Sequence, residues 1–219
     1  MKIIDLTHTI KEDMNVYPGT EQPKLKVANT HEVDQFRETL ISMFSHTGTH
    51  IDPPFHIFKS GKTLDEYEAE SFVGKATVVD CREIKMGEEI PLSLIKNHEK
   101  DAGSVEFLLF CTGFDKKWGT NDYYGSYPVL SREALEYIIE KKYKGIGFDV
   151  IGLDPIGSLV RHRLLFSKSE MINIENLTNL DLCIGKPFTF VCLPLKIKDS
   201  DGASARAIAI MPDGNGELK

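Results

Sequence analysis

The segment HTGTHIDPPFH at residues 46–56 concentrates side chains that are well suited to bind a metal. It holds three of the seven histidines of the chain and one aspartate. Imidazole and carboxylate groups bind Zn²⁺, Mn²⁺ or Fe²⁺, and the absence of thiolates disfavours a soft structural zinc site. Two imidazoles and a carboxylate normally leave a coordination position for water, so the segment predicts a catalytic metal site.

The conformation of this segment decides which of its side chains can meet. Gly48 and the turn formed by Asp52, Pro53 and Pro54 disfavour a helix, so we expect extended backbone. At the period of two of a strand, the even-numbered residues would share one side. Gly48 would leave space between two imidazoles, and the prolines would restrain the backbone. The residues brought together in this way would be His46, His50, Asp52 and His56.

The alternative for each of these residues is an ordinary hydrogen-bonded core histidine or a turn aspartate. That alternative suits any one of them, but it does not account for four such side chains within eleven residues. Elsewhere, His162 lies between two arginines, where a metal ligand and a surface residue fit the sequence equally well. The histidines assigned to surface or hydrogen-bonding roles are His8, His31 and His98.

Composition argues against two kinds of partner. The formal net charge of −7 disfavours a nucleic-acid-binding face, which usually requires clustered lysines and arginines. No apolar run reaches the roughly 20 residues that a membrane-spanning helix needs, and a charge at Asp5 interrupts the N-terminus too early for a signal peptide. We therefore expect a cytoplasmic protein.

Other catalytic chemistries lack their sequence signatures. The chain contains no G-x-S-x-G, G-x-G-x-x-G, P-loop or H-E-x-x-H motif. Its four cysteines form no C-x-x-C pair and lie in apolar runs, which predicts buried free thiols. The cysteines are Cys81, Cys111, Cys183 and Cys192.

Strand patterns recur along the chain, at 76–81, 105–111, 145–150, 189–198 and 203–211. In the fourth of these, Leu193, Leu195 and Ile197 alternate with polar residues, which predicts one buried and one solvated face. The turn residues at 199–202 predict that the last two strands pair as a hairpin.

One helix is clear from the sequence, at 131–144. Ser131 can cap it, lysines fill its last turn, and Gly145 is expected to end it. No linker or internal repeat divides the chain, so we expect one domain over residues 1–219. Strands on both sides of a few helices, with a terminal hairpin, indicate a mixed α/β fold rather than a doubly wound sheet.

A series of motifs in this order resembles one known family. H-x-G-T-H-x-D-x-P-x-H at 46–56 is similar to the signature of the metal-dependent cyclase family, which includes bacterial kynurenine formamidases and isatin hydrolases. The likeness extends over nearly the whole chain. The further motifs are DLTHTI near the start, YPG at 17–19, CTGFDKKWG at 111–119, HRLL at 162–165, ENLTNL at 175–180 and PLKIKDSDGASARA at 194–207.

The resemblance implies a fold, a reaction and a set of roles. The fold would be a single swivelling β/β/α domain, usually assembled as a dimer or tetramer. The reaction would be hydrolysis of a C–N bond in an amide, formamide or cyclic amide, with one or two divalent ions, Zn²⁺ or Mn²⁺. Asp52 would be able to bridge two ions, and His56 would move protons as general acid and base. The metal ligands would be His46, His50, Asp52, His162 and Glu175.

The chain departs from the formamidase-like members around the substrate pocket. Tyr17 stands where these members tend to have the tryptophan of W-P-G, and FDVIGLD at 148–154 replaces a serine-containing I-D-x-x-S-V-D. Tyr17 would either stack on an aromatic substrate or fill a loop. Two alternatives to amide hydrolysis stay open: hydrolysis of a lactone, dehydration or cyclisation at the same metal site, and metal binding without catalysis.

Overall fold

The computed structural model describes residues 1–102 and 104–212. The strands are β1 (Lys2–Asp5), β2 (Lys24–Asn29), β3 (Glu38–Ser42), β4 (His50–Asp52), β5 (Val73–Asp80), β6 (Glu89–Ile90), β7 (Phe107–Cys111), β8 (Val129–Leu130), β9 (Gly145–Phe148), β10 (Ile172–Glu175), β11 (Phe188–Pro194) and β12 (Ala203–Met211). The α-helices are α1 (His31–Asp34), α2 (Leu92–Ala102), α3 (Arg132–Lys141) and α4 (Val160–Lys168). Short 3-10 helices span Pro54–His56, Leu64–Glu66, Ala69–Phe72, Phe114–Lys117, Asn121–Tyr124 and Leu180–Cys183.

One large sheet dominates the described part of the fold, with the strand order β1-β12-β11-β5-β7-β9-β10-β4. Because β4 also pairs with β12, the strands from β12 round to β4 close into a barrel-like sheet. Neighbours among β5, β7, β9 and β10 pair in parallel, whereas the other pairings of this sheet are antiparallel. The predicted mixed α/β domain is thereby confirmed.

Alternating side chains on the central strand β7 separate two apolar cores. Phe107 and Leu109 belong to the core inside the barrel, with buried residues of the surrounding strands. Leu108 and Phe110 belong to a second core, which they share with buried residues of the helices such as Leu165 on α4. The helices therefore cover the parallel part of the sheet from outside, and this packing fixes the position of α4.

The predicted helix at 131–144 forms, but it is shorter. The Ser131 hydroxyl accepts a hydrogen bond of 3.1 Å from a backbone N–H in the first turn, as an N-cap does. The helix ends at Lys141 because Lys142 adopts a left-handed conformation with φ of 58°. Gly145, which was expected to end the helix, instead begins β9, where a Cβ atom would lie 2.7 Å from a side chain of β10.

The predicted terminal hairpin is also confirmed, since β11 and β12 pair antiparallel. However, β11 ends at Pro194, and the expected burial of Leu193, Leu195 and Ile197 is wrong. These side chains are 49%, 56% and 50% exposed. The physical reason is that Phe188, Phe190 and Cys192 face the barrel core, so Leu193 lies on the opposite face of β11, and Leu195 and Ile197 lie beyond the end of the strand.

The four cysteines are free and buried, as predicted. Burial raises the pKa of each thiol, that of Cys183 to about 12, so the thiols are neutral at physiological pH. None of the helices in the described ranges has the length and apolar character needed to cross a membrane.

Candidate metal centre

Strands β4 and β10 form the floor of the site, and their pairing explains why polar and apolar residues alternate there. His50 lies opposite Glu175, and Ile51 lies opposite Ile174. Opposed residues of paired strands share a face, so the two isoleucines enter the barrel core while His50 and Glu175 face the other way. Asp52 is two residues from His50 and lies on the same face.

Asn173 on β10 holds the two carboxylates of the floor together. It lies opposite Asp52 in the sheet, and its side-chain amide donates to Oδ2 of Asp52 at 3.0 Å and to Oε1 of Glu175 at 2.8 Å. The backbone N–H of Leu153 also donates to Oε1 of Glu175 at 2.8 Å. Both carboxylates are therefore fixed by donors around a small buried space.

His162 reaches this space from the first turn of α4. Its Nε2 lies 3.2 Å from Oε1 of Glu175 and 3.5 Å from Oδ2 of Asp52. The carboxylate of Asp154 anchors the start of the helix, because it accepts hydrogen bonds from the backbone N–H groups of Arg161 and His162 at 2.8 and 2.9 Å. His162 is only 6% exposed, so it is not a surface residue.

His46 and His50 approach Asp52 from the opposite side. Nδ1 of His46 and Nε2 of His50 lie 2.8 and 3.2 Å from Oδ1 of Asp52. These contacts define two groups of three donor atoms. Within each group the atoms all lie within 4.8 Å of one another, and Asp52 belongs to both groups. The members are His46, His50 and Asp52 in one group, and Asp52, His162 and Glu175 in the other.

Hydrogen bonds on the outer nitrogens of His50 and His162 fix their tautomers. Nδ1 of His50 lies 2.8 Å from the carbonyl oxygen of Gly48, which can only accept, so Nδ1 must carry the proton. Nδ1 of His162 donates in the same way to Asp154 at 2.9 Å. Burial opposes ionisation of Asp154, but hydrogen bonds from His162 and the helix start hold its pKa below the usual value. The other nitrogen of each ring, Nε2, is the inner one, because it faces the carboxylates. When the ring is neutral, this Nε2 presents a lone pair to them.

His46 has the same arrangement with its two nitrogens exchanged. Its Nε2 lies 3.3 Å from Oδ2 of Asp201, and its Nδ1 faces Asp52. Three imidazoles thus aim lone pairs at the carboxylates of Asp52 and Glu175. Lone pairs and carboxylate oxygens repel one another unless a positive charge lies between them, and carboxylate-backed imidazoles are a general feature of metal sites. The donor set therefore fits a divalent cation.

The electrostatics of the cluster point the same way. Burial disfavours the protonated form of His46, but the carboxylates of Asp201 and Asp52 outweigh it and raise the pKa of His46 to about 10. For His162, burial is outweighed by Asp154, Asp52 and Glu175, which hold its pKa well above the ordinary value. The cluster therefore favours positive charge strongly, and a divalent cation supplies it.

His56 lies beside the two groups without belonging to either. Its ring centroid is 4.1 Å from that of His46 and 6.0 Å from that of His162. Within the described ranges, no residue forms a hydrogen bond with the His56 imidazole. Burial lowers the pKa of His56, so the ring is neutral at physiological pH and can accept a proton.

The uniform extended conformation expected for residues 46–56 is wrong. Only His50–Asp52 form a strand, and Pro54–His56 form a 3-10 helix that begins at a proline. Gly48 adopts a left-handed conformation with φ of 65°. A Cβ at Gly48 would meet Met14 at 3.2 Å rather than an imidazole, so the glycine serves the bend of the backbone and not the spacing of two rings.

A cavity of about 440 Å³ opens onto these groups. Tyr17 contributes to its wall, and the Tyr17 hydroxyl accepts a hydrogen bond of 2.7 Å from the backbone N–H of Gly157. Apolar side chains of Val16, Ile57 and Leu159 also line it. The cavity can hold a small organic molecule next to the ligand candidates.

Sequence reasoning missed three residues of the site: Asn173, Asp154 and Asp201. Asn173 could have been found, because INIE at 172–175 alternates apolar and polar residues and Glu175 was already a candidate. Asp154 and Asp201 carried no such signal. They act by hydrogen bonds to histidines 8 and 155 residues away along the chain, which only the fold brings together.

Solved structures with this fold include hydrolases. Isatin hydrolase A from Labrenzia aggregata, bound to benzyl benzoate, has a TM-score of 0.83 and 27% identity, with 95% of this chain and 93% of that chain covered. A protein from Bacillus stearothermophilus described as a predicted metal-dependent hydrolase has a TM-score of 0.77 and 28% identity, covering 95% and 97%. With the convergent ligand groups, these findings define the class: the chain is a metal-dependent hydrolase.

Sequence comparison identifies the family. Residues 4–155 match the model of the family described as Putative cyclase, and the chain belongs to this cyclase family. An uncharacterised protein of Methanocaldococcus jannaschii is 34% identical over 220 residues, which is 96% of this chain and 100% of the relative. A kynurenine formamidase of Bacillus anthracis is 30% identical over 211 residues, covering 94% and 96%. His162 and Glu175 lie beyond the family match.

The turn between β11 and β12 is shaped around His46, which allows a test of that residue. A Cβ at Gly202 would lie 2.4 Å from Cε1 of His46, so Gly202→Ala should displace the ring and weaken Zn²⁺ binding about tenfold or more. Isothermal titration calorimetry measures the effect. Lys198→Ala, an exposed change just before the turn, should bind Zn²⁺ like the wild type. Unchanged affinity in Gly202→Ala would argue against His46 as a ligand.

Proposed function

We propose that the protein hydrolyses a C–N bond of a small amide, formamide or cyclic amide at a metal centre. The observation that carries the proposal is that three imidazoles, each bonded to an acceptor on its outer nitrogen, aim their inner nitrogens at Asp52 and Glu175. Relatives named kynurenine formamidase and isatin hydrolase support the choice of reaction. The proposed metal ligands are His46, His50, Asp52, His162 and Glu175.

The ligand set supports Zn²⁺ or Mn²⁺ and, by its geometry, two ions rather than one. Nitrogen and carboxylate ligands without thiolates suit both metals. Oδ1 of Asp52 faces His46 and His50, whereas Oδ2 faces His162. The two oxygens of one carboxylate would thus serve two ions, with Asp52 as the bridge.

The chain's own residues supply the proton transfer. Divalent ions at such a centre lower the pKa of water from about 15.7 towards about 7 and polarise a carbonyl group. The neutral His56 imidazole, beside His46 and free of hydrogen bonds to the described residues, accepts a proton from the attacking water. It then returns that proton to the leaving nitrogen, so one residue serves as base and acid.

The cavity wall supports an aromatic or cyclic substrate. Tyr17 presents a ring at the wall while its hydroxyl is held by Gly157, which favours substrate stacking over the filling of a loop. Gly152 stands where the formamidase-like motif has a serine. A Cβ at Gly152 would lie 3.4 Å from the hydroxyl of Tyr127 and 3.8 Å from Oε1 of Glu175, so the glycine omits a side chain beside the proposed ligand Glu175. Because this side chain of the formamidase-like motif is missing beside the site, lactone hydrolysis is the second candidate reaction.

His56 can be tested together with the substrate class. His56→Ala should lower turnover of the best substrate by roughly 100- to 10,000-fold, while the bound metal remains. The assay is a screen of formamides, cyclic amides and lactones with metal-loaded protein, combined with metal analysis of the same samples. His31→Ala, which changes an exposed histidine on α1, should match the wild type. Loss of metal in His56→Ala would instead make His56 a ligand.

The number of ions can be tested separately. His162→Ala removes the only histidine from the group that contains Glu175, and it should eliminate one of two bound ions because only the carboxylates of Asp52 and Glu175 remain to hold it. Inductively coupled plasma mass spectrometry after dialysis gives the metal content per chain. An unchanged content would exclude His162 from the site, and a content of one ion per wild-type chain would contradict the two-ion centre.

We also propose a homodimer or homotetramer in the cytoplasm. Among the described residues, β2 and β3 pair only with each other, and an isolated two-stranded hairpin is marginally stable in water. Large apolar side chains on and beside it are more than half exposed, which is unusual for a monomer. They are Phe36, Leu40, Ile41 and Phe44. The cytoplasmic location agrees with four unpaired cysteines, as is usual in a reducing compartment.

The hairpin surface makes a specific prediction for assembly. The double change Ile41→Ser and Phe44→Ser should dissociate the oligomer, because both exposed apolar side chains lose the area that they would bury. Size-exclusion chromatography with light scattering measures the mass. Met86→Ser, at an exposed apolar residue between β5 and β6, should keep the wild-type mass. An oligomer that survives the double change would place the interface elsewhere.

A further inference from the structure

The outer nitrogen of His46, Nε2, belongs to another cluster of possible metal donors. Whereas Nδ1 faces Asp52, Nε2 lies 3.3 Å from Oδ2 of Asp201, and the His56 ring lies beside it at 4.1 Å between centroids. Donor atoms of His46, His56 and Asp201 all lie within 4.8 Å of one another. This outer cluster shares only His46 with the proposed ligands of the metal centre.

The outer cluster is more open to solvent than the centre below it. The side chain of Asp201 is 51% exposed and that of His46 is 22% exposed, compared with 1% for Asp52. A half-exposed aspartate is ionised at neutral pH, so this carboxylate offers a negative charge to the solvent. An ion in solution can therefore reach an anionic oxygen and two imidazoles without entering the buried groups.

We propose that His46, His56 and Asp201 form an additional, weaker divalent-cation site, and that a cation bound there inhibits the enzyme. The proposal rests on the proposed hydrolytic function of the adjacent centre. Two imidazoles and one carboxylate favour Zn²⁺ over Mg²⁺, which prefers oxygen ligands and keeps its water. The site is the weaker one because it has three donors and an exposed carboxylate, whereas the inner groups are buried and share Asp52.

Inhibition follows from the chemistry of imidazole. A neutral ring has one lone pair on nitrogen and one N–H group. If Nε2 of His46 binds the outer cation, Nδ1 carries the proton and donates to Asp52, 2.8 Å away, so His46 no longer serves the inner group. The same cation uses the lone pair with which His56 would accept a proton. One binding event thus removes an inner ligand and the general base.

Zinc titration of the wild type and of Asp201→Asn tests this inference. Wild-type turnover should rise as the inner ions bind and fall at higher Zn²⁺, in step with an additional weakly bound ion seen by equilibrium dialysis. Asp201→Asn keeps an oxygen that accepts from His46 but lacks the charge. It should lose the weak ion and need about tenfold more Zn²⁺ for half-inhibition. Mg²⁺ over the same range should not inhibit the wild type.

The controls separate this inference from the proposed function. Asp199→Asn, at an exposed aspartate of the same turn, should bind and be inhibited like the wild type. Inhibition and weak binding that persist unchanged in Asp201→Asn would overturn the outer site. A protein that turns over none of the amides or lactones but still loses the weak ion in Asp201→Asn would retain the cation site and contradict the proposed hydrolysis.

Discussion

The structure depends on one buried carboxylate, that of Asp52, which three imidazoles surround. Burial disfavours its charge, but the field of His50 and hydrogen bonds with His162 and His46 hold its pKa well below the usual value. A buried anion is stable only when opposite charge and hydrogen bonds replace the lost water. Because the outer nitrogens of the rings face acceptors, the inner nitrogens that face Asp52 either carry protons or bind a cation.

The closed sheet makes this arrangement possible. β4 contributes only three residues, yet it lies between β10 and β12 and joins the two ends of the barrel-like sheet. A single strand thus places Ile51 in the core and His50 and Asp52 in the site. The same face carries Glu175 from the neighbouring strand, while the helical layer holds His162 above it. The strand pairings that close the sheet therefore also bring the ligand candidates together.

The sequence predicted the parts of the site that depend on local chemistry. His46, His50 and Asp52 are close in sequence and also converge in space, and the mixed fold followed from strand and helix patterns. The exposed Leu195 and Ile197 show the limit of such patterns, because an alternating strand reveals two faces but not whether a neighbour covers either one. Long-range contacts, such as that of Asp201 with His46, have no local signature.

The most direct test of this account is a crystal structure of the Zn²⁺-loaded protein with anomalous diffraction at the zinc edge. The account predicts two ions on opposite oxygens of Asp52, one near His46 and His50 and the other near His162 and Glu175, with ligand distances of about 2.0–2.2 Å. Zinc bound away from Asp52, or an inner imidazole nitrogen hydrogen-bonded to the carboxylate while zinc is present, would contradict it.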